Sequence, residues 1–100
     1  MTIKQAFRPT GANTVNIDVA AASARVLLNP GAQIRVMNNG TATAWIKWGD
    51  VTVAAVLAND IPVGPGVTEV LTPPVDATYV AAIAAGATGK IYFTPGVGGV

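Results

Sequence analysis

The feature that most constrains this chain is the regular spacing of its turn signals. Clusters of Gly, Pro, Asn and Asp interrupt the sequence repeatedly between Pro9 and Gly89. Gly and Asn supply the positive φ angles that tight turns need, and Pro fixes the adjoining corner. The segments between the clusters are roughly 5–7 residues long, a length typical of strands. This spacing predicts an all-β chain.

Several of these segments alternate apolar and polar residues, as in "TVNIDV", "QIRVMN" and "KIYFT". A period of two places one face of a strand on a core and the other face outside. The residues predicted to face the core in these segments are Val15, Ile17, Val19, Ile34, Val36, Ile91 and Phe93. The length of 100 residues suits one domain. We therefore predict that residues 1–100 form one compact antiparallel β-sandwich of eight or nine short strands, with a jelly roll as one possible arrangement.

Local features refine this prediction. Residues 1–9 are expected to form an arm or an edge strand, and the glycine-containing residues 95–100 are expected to form a flexible tail. We interpret "VTVAAVLAND" as a strand followed by a loop. The short turn between Asn38 and Thr43 predicts a hairpin in which "QIRVMN" pairs with "TAWIKWG".

Composition argues against catalysis and metal binding. The chain has no histidine and no cysteine, so it lacks the commonest general base and the commonest transition-metal ligands. Its single serine, Ser23, lies in no nucleophile motif, and its glycine-rich stretches match no phosphate-binding loop. We expect the turn carboxylates of Asp50, Asp60 and Asp76 to bond nearby backbone, with a shared Asp50–Asp60 loop site as the alternative. The prediction is no enzyme, no cofactor and no metal.

The low charge argues against nucleic acid as a partner and leaves protein partners as the expected class. Charged residues make up 11% of the chain and the net charge is +1, so nucleic acid is not an expected partner. No apolar run approaches the ~20 residues that span a membrane, and "MTIKQAFRPTG" lacks the apolar core of a signal peptide. Hydrophobic residues make up 51% of the chain. This combination indicates a surface that is partly covered by protein partners.

The stretch "TATAWIKWGD" contains both tryptophans, Trp45 and Trp48. Strand periodicity sends the two rings to opposite faces of a sheet. In the predicted hairpin, Ile46 and Trp48 face the core, whereas Trp45 and Lys47 face outward.

If "KIYFT" joins that sheet, the outward face carries six candidate interface residues. They are Arg35, Met37, Trp45, Lys47, Lys90 and Tyr92. Trp, Tyr and Arg dominate interface hot spots, so we interpret this face as a partner surface. One alternative is a solvated face on which Lys and Arg stems cover the rings. Others are a carbohydrate site built on Trp45 and Tyr92, and a base-stacking platform, against which the low charge argues.

Three runs carry a resemblance to a known group of proteins: "IRVMNNGTATAWIKWG", "DIPVGPGVTEVLTPP" and "ATYVAAIAAGATGKIYFTPGVG". From about Gln33 to its C-terminus the chain resembles small all-β virion structural proteins of tailed bacteriophages. The resemblance implies a capsid decoration or cement protein, made in the host cytoplasm and located on the capsid surface. Its implied partners are the major capsid protein or other virion proteins, and its implied state is a homo-oligomer, with a trimer favoured. A tail, fibre or minor head component is the alternative, and a carbohydrate-binding module is the second alternative.

Overall fold

The computed structural model describes residues 6–9, 14–29 and 32–99. These residues form nine strands and no helix, arranged in two antiparallel sheets. The strands of the five-stranded sheet are β1 (Arg8–Pro9), β2 (Val15–Val19), β4 (Gln33–Asn38), β7 (Thr68–Leu71) and β9 (Gly89–Val97). The strands of the four-stranded sheet are β3 (Ala24–Leu27), β5 (Ala44–Gly49), β6 (Ile61–Val63) and β8 (Tyr79–Ile83).

The strand order is that of a jelly roll. One sheet runs β2-β9-β4-β7, with β1 pairing with the C-terminal part of β9, and the other runs β3-β8-β5-β6. From β2 onward, every connection except the one from β5 to β6 crosses from one sheet to the other. This order confirms the predicted β-sandwich and gives the jelly-roll arrangement of paired four-stranded sheets.

The core lies between the two sheets and is built by the alternation seen in the sequence. Its largest fully buried apolar side chains include Phe93, Ile34, Ile46 and Ile91. Burying each such side chain contributes about 1.5–3 kcal/mol relative to exposure, and their shared packing holds the sheets face to face. The predicted inward positions of β2, β4 and β9 are thereby confirmed, although Val15 at the start of β2 is only partly buried.

The predicted hairpin between "QIRVMN" and "TAWIKWG" is wrong. β4 pairs with β9 and β7, whereas β5 pairs with β8 and β6 in the other sheet. Asn38, which is fully buried, provides the physical reason. Its Nδ2 donates to the carbonyls of Ala42 and Val63, both at 2.9 Å, and its Oδ1 accepts from the Gly40 N–H. The side chain thus fixes a corner that carries the chain from one sheet to the other.

Three local expectations also change. β9 continues to Val97 with Pro95 and Gly96 buried, so the expected flexible tail does not begin at residue 95. "VTVAAVLAND" forms no strand and instead runs as a loop with turns at 51–52 and 57–59. At the N-terminus, β1 is a two-residue edge strand on β9, whereas residues 1–5 of the predicted arm lie outside the described residues.

Candidate functional site

The six predicted interface residues do not share one surface. Trp45 and Lys47 lie in β5 of the four-stranded sheet, where Trp45 is half-buried and Lys47 is exposed. The other four are in β4 and β9 of the five-stranded sheet: Arg35, Met37, Lys90 and Tyr92. Because the outward faces of the two sheets point to opposite sides of the sandwich, a single carbohydrate site built on Trp45 and Tyr92 is not formed.

On the five-stranded sheet, the two candidate cations are already engaged within the chain. Lys90 Nζ lies 2.6 Å from Asp18 Oδ1 across the β2–β9 pair, and this hydrogen bond and the Asp18 charge raise the pKa of Lys90. The guanidinium carbon of Arg35 lies 5.4 Å from the centre of the Phe7 ring, a cation–π distance. Arg35 therefore lies on an aromatic ring, whereas Lys90 is engaged by a carboxylate and not by a ring.

Phe7 was not among the residues selected from the sequence, yet it fixes this outer face. Its ring lies on Gly96, where an added Cβ would sit 2.5 Å from Phe7 Cζ and 2.4 Å from the Arg8 carbonyl oxygen. Only glycine leaves room for this approach. The sequence contains no local signal for this contact, since the partners are about 90 residues apart.

The outer face of the four-stranded sheet is covered by residues 50–60, which we call the covering loop. The loop leaves β5, crosses the sheet and returns to β6. Val53 and Ala55 are buried against Ala81 of β8, with Tyr79 and Ile83 packed beside them. The close approach starts at Gly49, where an added Cβ would lie 2.7 Å from a methyl carbon of Val53.

Hydrogen bonds fix the covering loop at both ends and in its middle. Asp50 Oδ1 accepts from the Thr52 N–H at 2.8 Å and from the Thr52 hydroxyl at 2.6 Å, which lowers the pKa of Asp50. The Ala55 N–H donates to Ser23 Oγ at 2.8 Å, and the Val56 N–H donates to Asp60 Oδ2 at 2.6 Å. The predicted backbone bonding of Asp50 and Asp60 is confirmed, and each carboxylate serves its own turn.

The other side of the covering loop presents apolar side chains to solvent. Val51 is 54% exposed, Val56 51% and Leu57 45%. Residues 51–58 read VTVAAVLA and include one polar residue, Thr52. We call Val51, Val56 and Leu57 the apolar ridge. This ridge lies on the same side of the sandwich as Trp45 and Lys47. In the sequence, the feature that could have indicated an exposed apolar surface here is the run of residues 51–58, which contains no charged residue.

One end of the sandwich contains two adjacent recesses, on either side of the β7–β8 loop. The larger, of about 480 Å³, is lined mainly by apolar side chains that include Leu27, Leu28 and Ile34. The smaller, of about 260 Å³, is lined by Trp48, Gly49, Asp50, Pro74, Asp76 and Ala77. Trp48 packs partly against the core, as predicted, but is half-buried rather than fully enclosed.

Within residues 6–9, 14–29 and 32–99, no three side chains of the His, Cys, Asp and Glu types converge on a common metal position. The same residues include no helix of the length and hydropathy required for a membrane span. The chain matches no family model, no curated protein and no solved structure.

Proposed function

We propose that this protein is a structural component of a bacteriophage virion, a decoration or cement protein that binds the major capsid protein lattice and stabilises the head. The observation that carries the proposal is the apolar ridge. Residues 51–58 of the covering loop carry no charge, and an apolar segment that is fastened by hydrogen bonds and exposed on one face is typical of a surface that a partner covers. Jelly rolls are a recurrent fold of viral capsid domains, which adds an associational argument.

The ridge and its surroundings have the composition of an interface. Val56 and Leu57 provide apolar contact area, Trp45 on the adjacent sheet surface provides an aromatic anchor, and Lys47 provides a polar rim. The covering loop is bonded to Ser23 and is braced internally by the Val56–Asp60 hydrogen bond, so little ordering is needed when it docks.

Repetition would strengthen a modest contact. A shell offers the same site many times, and a homo-oligomer, with a trimer favoured, can engage several sites at once. Linked contacts of this kind raise the overall affinity without any new contact. The protein would then contribute to the stability of the capsid surface through binding.

The proposal is tested by quantitative mass spectrometry of phage particles purified from the source of this sequence. We expect the copy number of the chain to stand in a simple ratio to that of the major capsid protein. When heads and tails are separated, the chain should be recovered in the head fraction. Recovery with the tail fraction at few copies would instead assign a tail or fibre component. Absence from purified particles would overturn the virion role.

A further inference from the structure

The smaller recess contains a large aromatic side chain that the core does not fully enclose. Trp48 is the last large side chain of β5, and part of it packs against the main core cluster. The remainder lines the recess of about 260 Å³. An indole face carries negative electrostatic potential, and an exposed one is the best aromatic surface for a cation.

Two carboxylates border this indole. Asp50 follows β5 directly and is held by the backbone and side chain of Thr52. Asp76 lies in the turn closed by the Ala77 N–H and the Pro74 carbonyl at 3.0 Å. The Thr78 N–H donates to the Gly49 carbonyl at 2.9 Å, which fastens this turn to the end of β5. The walls of the recess are therefore fixed relative to the indole.

No cation of the described residues neutralises these carboxylates. The ion pair between Lys90 and Asp18 is the only one in the described part of the chain, and it lies on the five-stranded sheet. Ionised carboxylates accept hydrogen bonds and cannot donate them, so the polar side chains of the recess are two acceptors beside the indole of Trp48, whose N–H is the one side-chain donor among the lining residues. The shared sign of the indole face and both carboxylates defines the complementary ligand.

We propose that the recess formed by Trp48, Asp50 and Asp76 binds an alkylammonium or guanidinium group, which lies against the indole and donates hydrogen bonds to the carboxylates. The lysine or arginine side chain of a protein and a small free amine share this chemistry. The proposal rests on the recess alone and does not depend on the virion role.

The test follows the two indole N–H resonances of the ¹⁵N-labelled full chain during titration with N-acetylarginine methylamide. Trp45, on the opposite face of β5, is the internal control. We expect a saturable shift at Trp48, little change at Trp45, and weaker binding at high salt. The matched neutral ligand, N-acetylcitrulline methylamide, should produce no comparable shift. An equal response to both ligands, or none at Trp48, would overturn the proposal.

Two variants separate the recess from a general charge effect. Asp76→Asn should weaken arginine binding about 2–5-fold, the range of an exposed ion pair. Asp60→Asn makes the same charge change outside the recess and should leave binding unchanged. Equal weakening in both variants would contradict a defined site. Thermal melts of both variants verify that the fold is retained.

The source of the cation follows from a dilution series without ligand. A Trp48 shift that depends on protein concentration and disappears at high salt would support the proposal and assign the cation to a second copy of the chain. A saturable arginine response without such a concentration dependence would support it and assign a different protein or a free amine.

Discussion

Trp45 and Trp48 lie three positions apart in β5 and occupy opposite faces of the four-stranded sheet. Trp45 is directly opposite Ile83 of β8, and Trp48 is opposite the fully buried Val80. An odd separation along a strand reverses the direction of the side chain, so the ring of Trp48 packs partly against the core and the ring of Trp45 lies on the outer face of the sheet. The two rings therefore have different structural tasks.

Truncation of the two rings should lower the free energy of unfolding by different amounts. We expect Trp48→Ala to lower the free energy of unfolding by about 2–3 kcal/mol, less than for a fully buried ring because Trp48 is half-exposed. Trp45→Ala should have a smaller effect, since Trp45 does not pack into the main core. Urea denaturation of both variants measures the difference. A larger loss in Trp45→Ala would contradict the assignment of faces.

The Asn38 corner gives a second prediction. Asn38→Ala leaves the carbonyls of Ala42 and Val63 without their donor, and an unsatisfied buried polar group costs ~1–3 kcal/mol. With the lost packing, we expect a destabilisation of about 2–3 kcal/mol in chemical denaturation. The neighbouring exposed residue supplies the control, because Asn39→Ala should change stability by less than about 0.5 kcal/mol. Equal effects would show that the buried amide does not fix the corner.

The contact between Phe7 and Gly96 gives a third prediction. Gly96→Ala introduces a Cβ that overlaps the Phe7 ring and the Arg8 carbonyl, so the β1 segment must shift. We expect a loss of about 1–3 kcal/mol together with faster hydrogen exchange of the backbone amides in the β1–β9 pair. At Gly86 an added Cβ meets nothing within 4 Å, so Gly86→Ala is the matched control. Unchanged exchange in Gly96→Ala would rule out the close approach.

Asp50 gives a prediction about pH. Hydrogen bonds from Thr52 lower the pKa of Asp50 in the folded state, so its contribution to stability is present above the unfolded pKa and is lost as pH falls through the folded pKa. Thr52→Val removes the hydroxyl donor and should raise the pKa of Asp50, so that less stability is lost on acidification. Carbon-13 NMR titration of the carboxyl measures this change. Thr68→Val, at an exposed threonine of β7, should leave the Asp50 titration unchanged.

The class of fold could be predicted from the sequence because strand alternation and turn chemistry are local properties. Ile34 and Val36 point inward in β4 for the same reason that they alternate in the sequence. The pairing partner of β4 could not be predicted from the short loop alone. Its choice depends on Asn38, whose burial is visible only once the sheets are assembled.

The candidate site was predicted only in part for a related reason. Trp45 and Lys47 face outward as expected, but Tyr92 lies in the other sheet. The predicted pairing of β4 with β5 is wrong, and it therefore combined outward positions of two different sheets into a single surface. The sequence predicts a strand followed by a loop for "VTVAAVLAND", because Val51 and Val53 favour strands. The burial of Val53 depends on the room left by Gly49, a contact that appears only in the folded chain.

The central claim is that the apolar ridge docks this protein onto a shell. The most direct measurement is co-sedimentation of the purified protein with phage heads that lack it, comparing the wild type with a Val56→Asp/Leu57→Asp double variant. Val75→Asp, at a fully exposed apolar residue on the end of the sandwich, is the control. We predict saturable binding of the wild type and of Val75→Asp, and loss of binding in the folded double variant. Undiminished binding of the double variant, or no binding of the wild type, would contradict the claim.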